Sequence, residues 1–255
     1  MKGAWLEDLA WPEVAARLAD GATVLVPVGA IAKEHGHHLP MKTDWLVARE
    51  LARRVADALP VLVAPIVSCG YYPAFTRYPG SQHLSAETFT AVMKELLGKL
   101  IADSAKRIAV LNTGVSTEEP LQIAVRDLLM ATGVRIAVAD IRQLGTAVRR
   151  DGMQKLGGHG DEDEWETSFI LAIEPDLVHM ERAVEDYGAM PDEPKTVFRR
   201  PIRFSEEPAD GPDYSRTGVR GDPSLATAEK GRALLAEMTR ELVEGLVALF
   251  PDLSS

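Results

Sequence analysis

The chain has 255 residues, with 38 acidic against 28 basic side chains and a formal net charge of −10. That balance, with no basic run longer than Arg53-Arg54, Arg149-Arg150 or Arg199-Arg200, argues against a nucleic-acid partner. One cysteine, Cys69, excludes an internal disulfide, no apolar stretch reaches the ~20 residues of a membrane span, and Met1-Lys2 leads into no signal core; a cytoplasmic protein without a membrane partner is expected.

In chain order, residues 22–28 read as a strand. Residues 44–59 read as a helix, with Ala48, Leu51, Ala52, Val55 and Leu59 on one face and Arg49, Glu50, Arg53 and Arg54 on the other. Further strands are expected at 61–67, 108–111 and 134–141, and helices at 85–105, 120–132, 165–173 and 225–250. Ser85 is the expected cap of the 85–105 helix, and Glu174-Pro175 closes the helix at 165–173. Strands alternating with helices predict an α/β fold, with a mostly parallel sheet between two helical layers. Residues 187–223 are rich in Pro, Gly and charge and poor in aliphatics. They predict a long polar loop on a single domain spanning 1–255. No phosphate-binding glycine loop is present, so nucleotide binding is unsupported.

The chemistry concentrates just after the first strand. Glu34-His35-Gly36-His37-His38-Leu39-Pro40 with Thr43-Asp44 places one Glu, three His and one Asp within eleven residues. Imidazole and carboxylate are the ligand types of hydrolytic zinc, manganese or iron sites, and the carboxyl edge of an α/β sheet is where ligands bind. His35 and Asp44 are therefore candidate metal ligands; His37 and His38 read as hydrogen-bonded loop histidines. Three more loops fall at the same edge. One runs from Cys69 through Tyr72 to His83. The next reads Asn112-Thr113-Gly114-Val115-Ser116-Thr117-Glu118-Glu119. The last carries His159 and five carboxylates between Asp161 and Glu166. Cys69 reads as a buried small residue, and Trp45 and Trp165 as core or pocket-lining groups.

These motifs resemble the creatininase family of metal-dependent hydrolases. The likeness rests on Glu34 to Pro40 with Thr43-Asp44, on Pro79-Gly80-Ser81, and on His159-Gly160 with Glu166-Thr167-Ser168. Gly221-Asp222-Pro223 with Ala226 to Gly231 extends it toward the C-terminus. The resemblance implies a three-layer α/β/α sandwich, one or two divalent ions (Zn, Mn or Fe), a small-molecule substrate and a homo-oligomer, often a hexamer. It assigns His35 and Asp44 as metal ligands, with Asp44 bridging where two ions bind. Glu34 becomes the carboxylate ligand and an orienter of water. The family's Glu lies two residues before the His, so a bulge is expected to return Glu34 to the site. His159 is assigned to proton transfer. His83, Tyr72, Ser116 and Glu118 are candidate substrate contacts, and Glu166 a structural support. The third loop departs from the family, which has a His and a Glu ligand there where this chain has Gly114 and Ser116. Glu118, His83, His159 and the acidic loop are the available substitutes.

The implied activity is metal-dependent hydrolysis of a C–N bond in a small cyclic amide, formamide or related molecule. A lactone-like substrate, or a divergent member that binds a small ligand without turnover, are the alternatives.

Overall fold

The computed structural model describes residues 1–152, 162–188, 197, 201, 203–211 and 214–254. Five parallel strands, β1 (Ala4–Trp5), β2 (Thr23–Val28), β3 (Leu62–Val63), β4 (Arg107–Asn112) and β5 (Ile136–Asp140), form one sheet in the order β1-β3-β2-β4-β5. Every residue of β2 is buried, which is why it reads as an unbroken apolar run and not as an alternation. Its side chains still divide between faces, Val24, Val26 and Val28 on one and Leu25 on the other.

Helices cover both faces. α1 (Trp11–Ala19), α3 (Ala86–Ala102) and α4 (Glu118–Thr132) bring Leu18, Phe89, Met93, Leu97, Leu121 and Leu128 onto the Val24 face. α2 (Thr43–Ala58), α6 (Glu162–Ile173) and α7 (Ala228–Leu249) bring Leu51, Val55, Phe169, Ile170, Leu235 and Met238 onto the Leu25 face. A short α5 (Thr146–Gly152) follows β5. The result is the expected three-layer α/β/α sandwich around a parallel sheet. Ser85 caps α3 by accepting the Thr88 N–H at 3.2 Å.

Two strands differ from expectation. The 61–67 run pairs as a strand only over Leu62–Val63, with Val67 meeting Val28 in an isolated bridge. Pro65 lies between and has no N–H to continue the ladder. β1 pairs with β3 through two residues, too few to leave a periodic signal. Cys69 is exposed, contrary to its reading as buried; it sits in the loop beyond that broken strand. Trp165 is core, edge-on to Phe169 at 5.3 Å, and Trp45 packs against the same cluster.

The chain moves outward from β2 to β3, then returns past β2 to β4. The sheet order therefore reverses at β2, and the crevice beyond the carboxyl ends of β2 and β4 is where an open α/β sheet binds its ligand. No described helix is long and apolar enough to cross a membrane.

Candidate metal centre

A cavity of about 460 Å³ opens at that edge. Its floor is the loop after β2 and the first turn of α2. Lys33, Glu34, His35 and Asp44 are all buried there, at 8%, 8%, 4% and 4% exposure. Asp44 sits in the first turn of α2, where the helix dipole favours a carboxylate. The helix is pinned to the sheet edge by Thr113, whose Oγ1 lies 2.9 Å from Val28 O and 3.0 Å from Asp44 O.

His35, Asp44 and Glu166 each bring one donor atom to a common point, all within 4.8 Å of one another. The hydrogen bonds of His35 show what belongs between them. Its Nδ1 lies 2.8 Å from the Lys33 carbonyl, which only accepts, so Nδ1 carries the hydrogen. Burial, and then the adjacent Lys33 charge, hold the ring below the usual histidine range, and Asp44 only partly offsets them. Its Nε2 lies 3.0 Å from Asp44 Oδ1. With its hydrogen on Nδ1 and no charge on the ring, Nε2 offers a lone pair, and a cation is what joins such a lone pair to a carboxylate oxygen. Donors each ~2.1 Å from a shared ion stand about 3–3.4 Å apart. A backbone carbonyl fixing the far nitrogen is the usual support of a metal-bound histidine. The residues present therefore fit one divalent ion.

Glu166 enters this trio from α6, beyond the supporting role the sequence suggested. Glu34 stands apart from it. The Glu34 carboxylate accepts the Gly36 N–H and is covered by Gly218. Burial, set against the Gly36 hydrogen bond and reinforced by Asp163, pushes it up to about 8. No bulge turns it toward Asp44. Lys33 occupies that side instead, its Nζ 3.2 Å from Asp44 Oδ2. For Asp44, burial alone would raise the carboxyl; the adjacent Lys33 ammonium is the largest opposing influence and holds it below the usual carboxylate range. For Lys33, burial alone would lower the ammonium; Asp44 and then Glu166 outweigh it and hold it above the lysine range.

The third loop, which lacks the family's ligands, supplies bracing. Asn112 Nδ2 donates to Asp140 Oδ2 at 2.9 Å and to Gly114 O at 2.8 Å, and Thr117 Oγ1 donates to Asn112 Oδ1 at 2.6 Å. Gly114 and Ser116 line the cavity. Glu118 does not; it pairs with Arg142, which also reaches Asp140 at 3.1 Å. Tyr72 is in the wall, its hydroxyl donating to Ala32 O at 3.3 Å. His83 is exposed behind it, with ring centroids 6.0 Å apart. His37 is exposed, while His38 is fully buried, 2.8 Å from Thr167 Oγ1. His159 and Asp161 lie outside the described residues.

The polar segment 187–223 contributes the upper wall, through Pro201, Phe204, Gly218 and Arg220. Phe204 N donates to Ala74 O at 2.9 Å, and its ring meets Phe75 at 5.0 Å. Arg220 lies over Phe204 at 5.1 Å, and its backbone N–H donates to Asp163 Oδ2 at 2.6 Å. Neither Arg220 nor Lys33 was singled out in the sequence. Their signal was a cation beside the motif, which spacing alone does not place.

The family model described as creatinine amidohydrolase matches residues 7–246. The creatinine amidohydrolase of Pseudomonas putida is 28% identical over 268 residues, covering 98% of each chain. A mycofactocin precursor peptide peptidase of Mycobacterium tuberculosis is 29% identical over 240 residues, covering 90% of this chain and 86% of its own length. Among solved structures, a Mn creatininase superposes with a TM-score of 0.81 at 26% identity, covering 98% and 99% of the two chains. A creatininase variant of the Zn–Zn type gives 0.79 at 27% identity, covering 98% of this chain and 100% of its own. The relatives' names and the match over nearly the whole length agree with the donor geometry: this chain belongs to the creatininase family of hydrolases.

Proposed function

We propose that this protein is a divalent-metal-dependent amidohydrolase that opens a C–N bond in a small cyclic amide, formamide or related molecule. The observation that carries this reading is the meeting of His35 Nε2, Asp44 Oδ1 and Glu166 at one point of the cavity, with His35 Nδ1 held by the Lys33 carbonyl. His35, Asp44 and Glu166 would hold the ion. When bound, such an ion polarises a carbonyl and brings the pKa of a coordinated water toward neutrality.

The chain's own residues supply the rest. The cavity is in the range that encloses a small molecule, and Tyr71, Tyr72, Phe75 and Phe204 give it flat aromatic walls. Glu34, buried and protonated at neutral pH in the absence of a cation, is placed to exchange a proton with a water or leaving nitrogen in the cavity. His159 is assigned the same task by the family resemblance. Ser116 is the wall hydroxyl available to a substrate.

The test is chelator-stripped protein assayed against cyclic amides, N-formyl compounds, lactones and short peptides, with Mn²⁺, Zn²⁺ or Fe²⁺ added back. Metal-restored turnover is expected in one class. His35→Ala, Asp44→Ala and Glu166→Gln should each lose bound metal while keeping helical content. Metal retained by all three variants would overturn the site assignment. A second reading, a ligand-binding member without turnover, draws on the absence of donors at Gly114 and Ser116. Stoichiometric metal with no turnover across the panel would favour it.

A further inference from the structure

The two carboxylate oxygens of Asp44 face different partners. Its Oδ1 is 3.0 Å from His35 Nε2, where the divalent ion is read to bind, and its Oδ2 is 3.2 Å from Lys33 Nζ. The Lys33 side chain is about 10% exposed, and its ammonium lies 4.8 Å from the centroid of the Phe75 ring, which covers it. Its backbone is fixed at both ends, the N–H donating to Met41 O at 3.1 Å and the carbonyl accepting His35 Nδ1 at 2.8 Å. Lys33 also stands two residues before His35, the position where the family pattern has its carboxylate ligand. A second divalent ion on Asp44 would have to displace this ammonium, and Gly114 and Ser116 offer it neither imidazole nor carboxylate. Among the described residues, the geometry fits one divalent ion and does not fit two.

We propose that Lys33 is the resident second cation of this site: the chain takes a single divalent ion at His35, Asp44 and Glu166, and the Lys33 ammonium holds the other side of Asp44 permanently. This rests on the metal reading above. Two consequences follow from charge alone. The ammonium competes with the divalent ion for Asp44, so it weakens metal binding. It also neutralises a buried carboxylate when no metal is bound, so it stabilises the metal-free fold. A lysine cannot exchange with solvent metal, so the position stays cationic in chelator.

The test is isothermal titration of chelator-stripped protein with MnCl₂ and ZnCl₂, with metal content measured by mass spectrometry and thermal unfolding followed with and without metal. Wild type is expected to bind one equivalent per chain, and Glu166→Gln none. Lys33→Met should keep one equivalent but bind it on the order of tenfold more tightly. Its stripped form should melt lower, and the metal-induced rise in Tm should exceed that of wild type. Lys33→Arg, which keeps the charge, should show no gain in affinity. Two equivalents in wild type would overturn the proposal, and so would unchanged or weaker binding by Lys33→Met. Binding of no metal by either wild type or Lys33→Met would instead overturn the metal reading beneath it. The wild-type stoichiometry needs no variant, so the proposal is open to refutation even if Lys33→Met fails to fold.

Discussion

His38 Nε2 lies 2.8 Å from Thr167 Oγ1, tying the loop after β2 to α6, the helix that carries Glu166. Both partners are fully buried. The bond holds the two sides of the donor trio in register although they are far apart in sequence.

The His38 ring is neutral, since burial and then the neighbouring histidines lower it from 6.5 to about 4. As pH falls, the unfolded chain therefore takes up the proton first. The stability this group contributes is complete above about 6.5 and is lost as the pH falls toward 4, by on the order of 2–3 kcal/mol. Thermal unfolding between pH 7 and 4.5 should show Tm falling more steeply in wild type than in His38→Asn. Equal slopes would show that His38 does not govern the acid limb.

Gly231 opens the contact between α7 and α6. A Cβ built there would run into the carbonyl of Ser168, and Ala172 Cβ would lie 2.9 Å away. The obstruction is backbone and cannot move aside. Gly231→Ala should cost about 1–3 kcal/mol, as overpacking in a tight core does, and should loosen metal binding by shifting α6. Denaturant unfolding alongside a metal titration checks both; a variant as stable as wild type would mean the helices separate freely.

How far the sequence carried depends on range. β2, β4 and the helices α2, α3, α4, α6 and α7 were legible because burial on both sheet faces leaves apolar runs, and burial on one helix face leaves a 3.6-residue period; the short α1 and α5 were not read. The meeting of His35 and Asp44 was legible because they share one short loop and helix turn. Glu166 was visible as a motif member but not as a neighbour of His35 and Asp44, because tertiary packing of α6 on α2 and α7 brings it to the β2 edge. Lys33 was hidden by adjacency. Which of Lys33 and Glu34 faces Asp44 depends on backbone torsions that spacing does not fix. The third loop was read as missing ligands, while its Asn112, Thr117 and Asp140 network shows the same residues serving as a brace.

Assembly is the next expectation. Trp11 is 80% exposed beside Leu6, Leu9 and Val14, an apolar surface on the layer opposite α7. Family resemblance and this surface together predict a homo-oligomer. Light scattering at micromolar concentration should give a multiple of 27.7 kDa; a monomer mass would refute it.

Glu34 and Gly218 give the sharpest separation of proton handling from metal binding. Gly218 has φ +76°, and a side chain there would occupy the place of the Glu34 carboxylate. Gly218→Ala should therefore push Glu34 out of position, in a region where non-glycine residues are already strained. Glu34→Gln keeps the shape but removes the titrating proton. Both variants should retain the metal stoichiometry of wild type, because Glu34 lies outside the His35, Asp44 and Glu166 trio. Both should lose turnover by about 10²–10⁴-fold, the range for a displaced acid or base, with kcat falling more than KM rises for Glu34→Gln. If Glu34→Gln instead lost its metal, Glu34 would be a ligand, and the loop after β2 would have to rearrange on binding the ion.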